Sequence, residues 1–227
     1  WMQREIEEIL INVVNKRFEL KSCKNLGFAG GLALNAVANA KLTMDSPFDN
    51  YYFQPAAADN GLSIGCAYYG WLSVMGKKRV LHDGSPYFGK FYSENATHEA
   101  LAAYADDLKV SRVENTTSHV ANFLSNGKVV AWFEKGSEFG PRALGHRSIL
   151  ADPRNPEIRD FINKDVKFRE DFRPFAPSVP QDKVSIYFDC EADYESPYMI
   201  QVLQTRDEWK EKIPAVVHAD GSARVQT

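Results

Sequence analysis

Residues 135–152 read Lys-Gly-Ser-Glu-Phe-Gly-Pro-Arg-Ala-Leu-Gly-His-Arg-Ser-Ile-Leu-Ala-Asp. Two arginines, three glycines and a proline follow directly on the apolar run Val129-Val130-Ala131-Trp132-Phe133. Glycine lets backbone approach a ligand closely. Arginine presents a planar, permanently charged fork that matches phosphate and carboxylate oxygens. The combination suits a phosphorylated or adenylated small molecule. The competing reading is a polar turn whose arginines make surface ion pairs. The cations do not stop at the run: Arg142, Arg147, Arg154, Arg159, Lys164, Lys167, Arg169 and Arg173 all fall within it or soon after. Net charge is only −3, so positive charge is concentrated locally rather than spread over the surface. That favours a small anionic ligand and argues against a nucleic-acid partner.

Other residues offer chemistry of their own. His146, between the two arginines, could donate to a phosphate or act as an acid, or be a hydrogen-bonded structural group. Ser148 could bond the same ligand or cap a turn. Gly30 and Gly31 follow the short apolar run Asn25-Leu26-Gly27-Phe28-Ala29 and precede a small-residue helix. Strand, glycine pair and helix start are a usual way to hold an anion or nucleotide on backbone N–H groups. Asp59 fits an N-cap for the helix after it. Tyr51, Tyr52, Phe53, Tyr68, Tyr69 and Trp71 read as core packing, and no functional role is assigned to them.

The run Glu138-Phe139-Gly140-Pro141-Arg142-Ala143-Leu144-Gly145-His146-Arg147-Ser148 resembles the signature of the O-carbamoyltransferases of the NodU/CmcH type. Gly30-Gly31-Leu32-Ala33-Leu34-Asn35 and Ala58-Asp59-Asn60-Gly61 resemble two further elements of that family, in the expected order. So does Asn163-Lys164-Asp165-Val166-Lys167-Phe168-Arg169-Glu170 leading into Phe172-Arg173-Pro174-Phe175. The resemblance implies an enzyme that combines ATP and carbamoyl phosphate into carbamoyl-adenylate, then passes the carbamoyl group to a hydroxyl of a small-molecule acceptor. It implies that Arg142 and Arg147, then Lys167, Arg169 and Arg173, neutralise phosphate oxygens, with His146 beside them. Lys164 and Arg159 could lie on a solvated helix face, and Arg154 sits in a turn. Gly30, Gly31 and Asn35 would approach the adenosine of a nucleotide, with Asn60 and Gly61 shaping the turn beside it. Asp59 would ligate a divalent metal, iron or magnesium. The family's other metal ligands come from an H-x-x-x-H pair that is absent from this sequence, which leaves the remaining ligands to a preceding half. Without them the chain is not expected to complete the transfer alone. The resemblance also carries a fold: an α/β (α+β) chain in which residues 1–78 form the second half of an actin-like (ASKHA) lobe. Residues 79–87 would be a linker, and 88–227 a YrdC-like domain with a twisted mixed sheet. A homodimer is compatible with it. A threonylcarbamoyl-type tRNA-modifying enzyme, a non-catalytic nucleotide- or anion-binding module and an actin-like sugar kinase fragment are the competing readings.

The elements that would position these groups can be placed from periodicity. Ile6, Leu10, Val13 and Val14 recur at helical spacing and predict an amphipathic helix to about residue 20. Strands are expected at 25–29 and 51–54, and helices at 34–42 and 59–75. Gly, Pro, Lys, Asp and His over 76–89 predict a linker. Beyond it the pattern predicts strands at 88–92, 108–113, 128–134, 175–179, 197–202 and from 216. Helices are predicted at 97–105 with Thr97 as N-cap, 117–125 ended by Asn126-Gly127, 156–163 and 206–212. Alternating strands and helices argue for α/β or α+β layers.

Cys23, Cys66 and Cys190 are isolated among apolar or small residues and read as buried thiols. This odd, unpaired set favours a reducing cytoplasm over a disulfide framework. No stretch approaches the ~18 apolar residues a membrane span requires. The first residues lack the basic-then-apolar pattern of a signal peptide. Both ends read as cut, so a piece of a larger protein is expected.

Overall fold

The structure, a computed structural model, describes residues 1–227. The fold is α+β. Helix α1 (Met2–Leu20) buries Leu10 and Val14 against helix α2 (Ala36–Asp45), which contributes Ala38 and Leu42. Strands β1 (Asn25–Phe28) and β2 (Asn50–Phe53) pair in parallel, and Phe53 completes the same core. That core also takes in Ile200 from far along the chain. Asn39, fully buried, ties the joint by donating from Nδ2 to the carbonyls of Ala33 and Ile200, both at 2.8 Å. A 3-10 turn, Asp59–Gly61, leads into helix α3 (Leu62–Tyr69) and a π-turn over Gly70–Val74. The expected linker is irregular backbone.

Helix α4 (Glu94–Ala103) starts at Ser93 rather than Thr97: Ser93 Oγ accepts from Ala96 N at 3.2 Å. Thr97 lies inside and donates to Ser93 O. Helix α5 (Thr116–Ser125) is capped by Asn115 and ends at Gly127, whose φ of 75° is the left-handed stop expected of Asn-Gly. Strand β3 (Val130–Phe133) pairs antiparallel with β4 (Arg147–Leu150), in the register Phe133 to Arg147. The arginine–glycine run is therefore the loop of a hairpin, a return strand that sequence periodicity did not reveal. Helix α6 (Ile158–Phe161) runs on as a π-turn through Val166. Helices α7 (Val184–Tyr187) and α8 (Asp207–Lys210) bracket strand β5 (Leu203–Gln204), which pairs antiparallel with β6 (Ser222–Ala223).

Several expected strands are not present, and the strands form three separate pairs rather than one twisted mixed sheet. Segment 175–179 is hemmed by Pro174, Pro177 and Pro180, which lack the N–H a ladder needs, and makes one bridge, Ser178 to Gln226. Segment 197–202 is broken at Met199, which sits at φ 52°. Residues 214–216 wind into a 3-10 turn. Segments 88–92 and 108–113 lie in irregular backbone with no strand beside them. Alternating apolar residues make a strand only where another strand can pair with it.

The thiols also differ from expectation. Cys23 and Cys66 are exposed, and Cys190 is half-buried. Burial pushes the Cys190 thiol pKa up. Cys23 and Cys66 should therefore label quickly with a thiol reagent in the folded protein and Cys190 slowly, read by intact mass. Three equal labelling rates would contradict the placement. No helix is long and apolar enough to cross a membrane.

Candidate functional site

The hairpin loop between β3 and β4 is folded around one carboxylate. Glu138 Oε1 accepts from the backbone N–H groups of Leu144, His146 and Arg147 at 2.7, 2.8 and 3.2 Å. Burial alone would push the Glu138 pKa up. The backbone donors outweigh it and hold the carboxyl below the ordinary value. Gly145, at φ 109°, takes a conformation that favours glycine and donates to Ser148 Oγ at 3.0 Å, so Ser148 caps the turn. Gly140, at φ 143°, passes so close to Pro55 O that a Cβ would lie 2.9 Å from it. The loop is pinned from two sides at the buried Leu144, whose carbonyl accepts from Tyr87 Oη at 2.8 Å and Gln226 Nε2 at 3.0 Å.

This framework gives the two loop arginines different fates. Arg147 spends its guanidinium on the loop itself, donating to the carbonyls of Glu134, His146 and Lys135 at 2.7 to 2.9 Å. It also stacks 3.5 Å from the Phe133 ring centroid. Its geometry is that of a loop-holding group. His146 lies flat on Tyr87, with ring centroids 3.7 Å apart, and its Nδ1 is 2.6 Å from Gly136 O. A carbonyl only accepts, so Nδ1 carries the proton and Nε2 is left as the free nitrogen.

Arg142 is different. Its one side-chain hydrogen bond is a long one of 3.4 Å to Leu34 O, at the end of the glycine turn in the first part of the chain. Its Nε is buried without a partner. Burial lowers its pKa. A second arginine, Arg224, has the same character: Nε is buried and unpartnered, and burial, then Arg142 and Arg169, push its pKa down to about 10. Arg142 and Arg169 are thus near enough for their charges to act on Arg224, and none of the three makes a salt bridge to a carboxylate. Only Arg169 feels a nearby carboxylate, Glu170, and like charges gathered with so little counter-charge are costly unless an anion joins them.

The third member is held by the buried Asn163. Its Nδ2 donates to the carbonyls of Asp171 and Arg173 at 3.1 and 2.9 Å, and its Oδ1 accepts from Arg169 Nε at 2.7 Å. Arg169 also lies over the Phe175 ring. Lys167 is exposed at the same bend, its pKa lowered by burial and then by Arg169. Arg173 points into an open cleft of ≈ 710 Å³ with Lys164 and Arg169, and pairs with Glu170 at 2.8 Å. Arg154 pairs with Asp152, the structural role its turn suggested.

The first part of the chain holds a larger cleft, ≈ 1320 Å³, lined by Gly30, Gly31, Asp59 and Gly61 together with Tyr52 and Trp71. Gly30 stands at φ 103° and donates to Ala57 O at 2.8 Å. At Gly61 a Cβ would overlap Ala56 O. Asn35 instead caps α2, accepting from Ala38 N at 3.1 Å and exchanging bonds with Gln3. Asn60 is exposed and contributes its carbonyl to Ser63 Oγ. Asp59 caps nothing: neither the turn it opens nor α3 has a side-chain cap. Nor does any group of three His, Cys, Asp or Glu lie close enough to hold a metal ion, so these residues do not suffice for a divalent metal. Core packing accounts for Phe53 and Tyr51, but Tyr52, Tyr68 and Trp71 line the cleft. Strand alternation carries that distinction, since Tyr52 faces away from its two neighbours.

Sequence reasoning passed over Glu138 and Arg224. Glu138 lay in plain view inside the arginine–glycine run, but its role depends on backbone N–H groups brought round by the loop. Arg224 lies far from the run in sequence, and long-range bonds from Gln226, to Leu144 O and to Pro177 O, bring its segment in.

The chain matches two family descriptions, carbamoyltransferase N-terminus over residues 1–68 and carbamoyltransferase C-terminus over residues 121–227. Nodulation protein NolO of Bradyrhizobium diazoefficiens is 37% identical over 100% of this chain and 42% of its own length. Nodulation protein NolNO of Sinorhizobium fredii is 36% identical over 100% of this chain and 34% of its own length. Nodulation protein U of Rhizobium tropici is 38% identical over 93% and 34%. The chain thus spans well under half the length of these relatives.

Proposed function

This chain belongs to the carbamoyltransferase family, and we propose that it forms the part of an O-carbamoyltransferase that binds carbamoyl phosphate and ATP for activation. In this reading water first cleaves carbamoyl phosphate to carbamate and inorganic phosphate, and a carbamate oxygen then attacks the α-phosphorus of ATP to form carbamoyl-adenylate as pyrophosphate departs. The adenylate's carbonyl carbon is then attacked by a hydroxyl oxygen of a small-molecule acceptor, and AMP departs. The observation that carries the reading is that Arg142 and Arg169 both act on the charge of Arg224, that Arg142 and Arg224 each bury an unpartnered Nε, and that none of the three makes a salt bridge. Such donors stabilise negative charge that gathers as phosphoryl groups react, because they are already in place and shielded from water. His146 Nε2 and Lys167 supply further polar groups at the edge of the same loops. The cleft beside Gly30 and Gly31 is the proposed seat of the adenosine, with Tyr52 and Trp71 as stacking surfaces.

The test is pyrophosphate release. ATP and carbamoyl phosphate together should yield pyrophosphate, neither should do so alone, and Arg142→Ala should abolish the signal in a folded protein. Release from ATP alone, or undiminished release by Arg142→Ala, would contradict the reading. A non-catalytic binding module would hold the ligands and release nothing.

A further inference from the structure

One short segment borders both the ≈ 1320 Å³ cleft and the arginine loop. Gly84, Ser85 and Phe88 line the cleft. Tyr87, between them, is not part of that wall. Its Oη donates to Leu144 O at 2.8 Å, and its ring lies on His146 with 3.7 Å between centroids. The backbone of the segment is fastened to the same loop. Phe139 N donates to Pro86 O at 2.7 Å, and Gly89 N donates to Ser137 O at 3.0 Å. Phe88 meets Phe139 edge to face at 6.0 Å. The crossing has no slack, since a Cβ on Gly89 would overlap Ser137 and one on Gly136 would overlap Gly89 O. Tyr198 Oη holds the start of the segment by donating to Gly84 O at 2.6 Å. Packing this close transmits displacement, so residues 84–89 and 136–144 move as one body. A second contact acts in the same sense: Gly140 of the loop abuts Pro55 O, and Pro55 also lines the cleft.

The stretch just before this segment is the reverse. Residues 79–83 make no backbone hydrogen bond, and Val80 and Leu81 stand exposed while lining the cleft. Segments with few bonds and little buried surface are the first to open. A ligand in the cleft rests on the loose part and the fastened part together, and so fixes one against the other. We propose that residues 79–89 couple the two sites: adenosine bound in the cleft steadies the loop that carries Arg142, and phosphate then binds there more tightly. Tyr87 is the positioning residue of that link. Order imposed by the first ligand need not be imposed again by the second, which lets two sites cooperate without touching. Coupling is reciprocal, so phosphate must tighten adenosine by the same factor. The inference rests on the adenosine seat and the anion site read above, and adds the dependence of each on the other.

The experiment is calorimetric titration of the whole chain with inorganic phosphate, without and with saturating adenosine, and the converse pair of titrations. Adenosine carries no phosphate that could itself reach the arginines. On the native chain each ligand should tighten the other roughly fivefold or more. Adenosine should also slow hydrogen exchange at residues 137–147, none of which lines its cleft. Tyr87→Phe removes the bond to Leu144, and Phe88→Ala removes the contact with Phe139; both are checked by thermal melting. Each should lower the coupling factor, and the two together should remove most of it. A merely structural residue would weaken phosphate binding equally with and without adenosine and leave that factor unchanged. Independent binding of the two ligands by the native chain would overturn the coupling, whether or not either variant folds, and would leave both sites standing. Competition between them would overturn it by showing one shared site. Coupling undiminished in the folded double variant would overturn the role of residues 79–89. No binding of adenosine would overturn the proposal along with the adenosine seat, and no binding of phosphate would overturn it along with the arginine site.

Discussion

Arg224→Met should make the ligand-free protein more stable while costing it most of its affinity for phosphate. The Arg224 guanidinium is largely buried, and burial first, then the charges of Arg142 and Arg169, push its pKa down to about 10 from the ordinary arginine range. At about 1.4 kcal/mol per unit, keeping it charged costs the ligand-free fold on the order of 3 kcal/mol. Methionine fills much of the same space without charge, and replacing buried ionic groups by apolar ones is often stabilising by about 1–4 kcal/mol. A rise in melting temperature is expected. The sign of the pH dependence follows: the cost is present in full at neutral pH and is relieved only as pH rises through about 10. Lost binding should be about 1.5–3 kcal/mol, the worth of a hydrogen bond to a charged group, which is roughly a tenfold to hundredfold weaker phosphate titration. A variant that melts earlier and binds as before would mean that Arg224 is a structural group.

Glu138→Ala should act in the opposite way, through stability first. Three backbone N–H groups converge on one carboxylate oxygen, and no other side chain is placed to take them. Buried donors left without acceptors cost about 1–3 kcal/mol each, and partial opening of the loop to water will recover some of that. A net loss of about 3 kcal/mol is expected by denaturant melting. Glu138→Gln keeps an acceptor oxygen but not the charge and should fall between. Because the folded carboxyl pKa is depressed, its contribution is complete above the ordinary glutamate value of 4.5. It is lost as pH falls through the lower folded value. The alanine variant should show a flatter acid limb in its stability profile. Phosphate binding should weaken as well, since Arg142 sits on the loop that Glu138 shapes. Unchanged stability with an unchanged acid limb would show that the loop stands without this carboxylate.

The same two residues mark where the sequence could be read and where it could not. Helices α1 and α5 and strands β1, β2 and β3 were legible because each has a clear period and local punctuation, such as Asn126-Gly127 after α5. The strands expected at 108–113 and 197–202 have apolar residues in plausible places, but pairing depends on a distant partner that periodicity does not supply. Arg142 was legible because glycine and arginine are dense around it. Arg147 and Asn35 have the same residue chemistry as the expected site. Yet neighbouring backbone claims them, Arg147 by three carbonyls and Asn35 by a helix start. The role of Arg224 depends on long-range contacts of the neighbouring Gln226 with Leu144 and Pro177, and no local pattern encodes them.

The most direct measurement of the central claim is a calorimetric titration of this chain with carbamoyl phosphate and ATP, separately and then together, beside Arg142→Ala. The account predicts binding by the native chain that weakens by about 1–3 kcal/mol in the variant, with little change in melting temperature. Undiminished binding in Arg142→Ala, or a variant whose fold collapses while the ligand still binds, would contradict it.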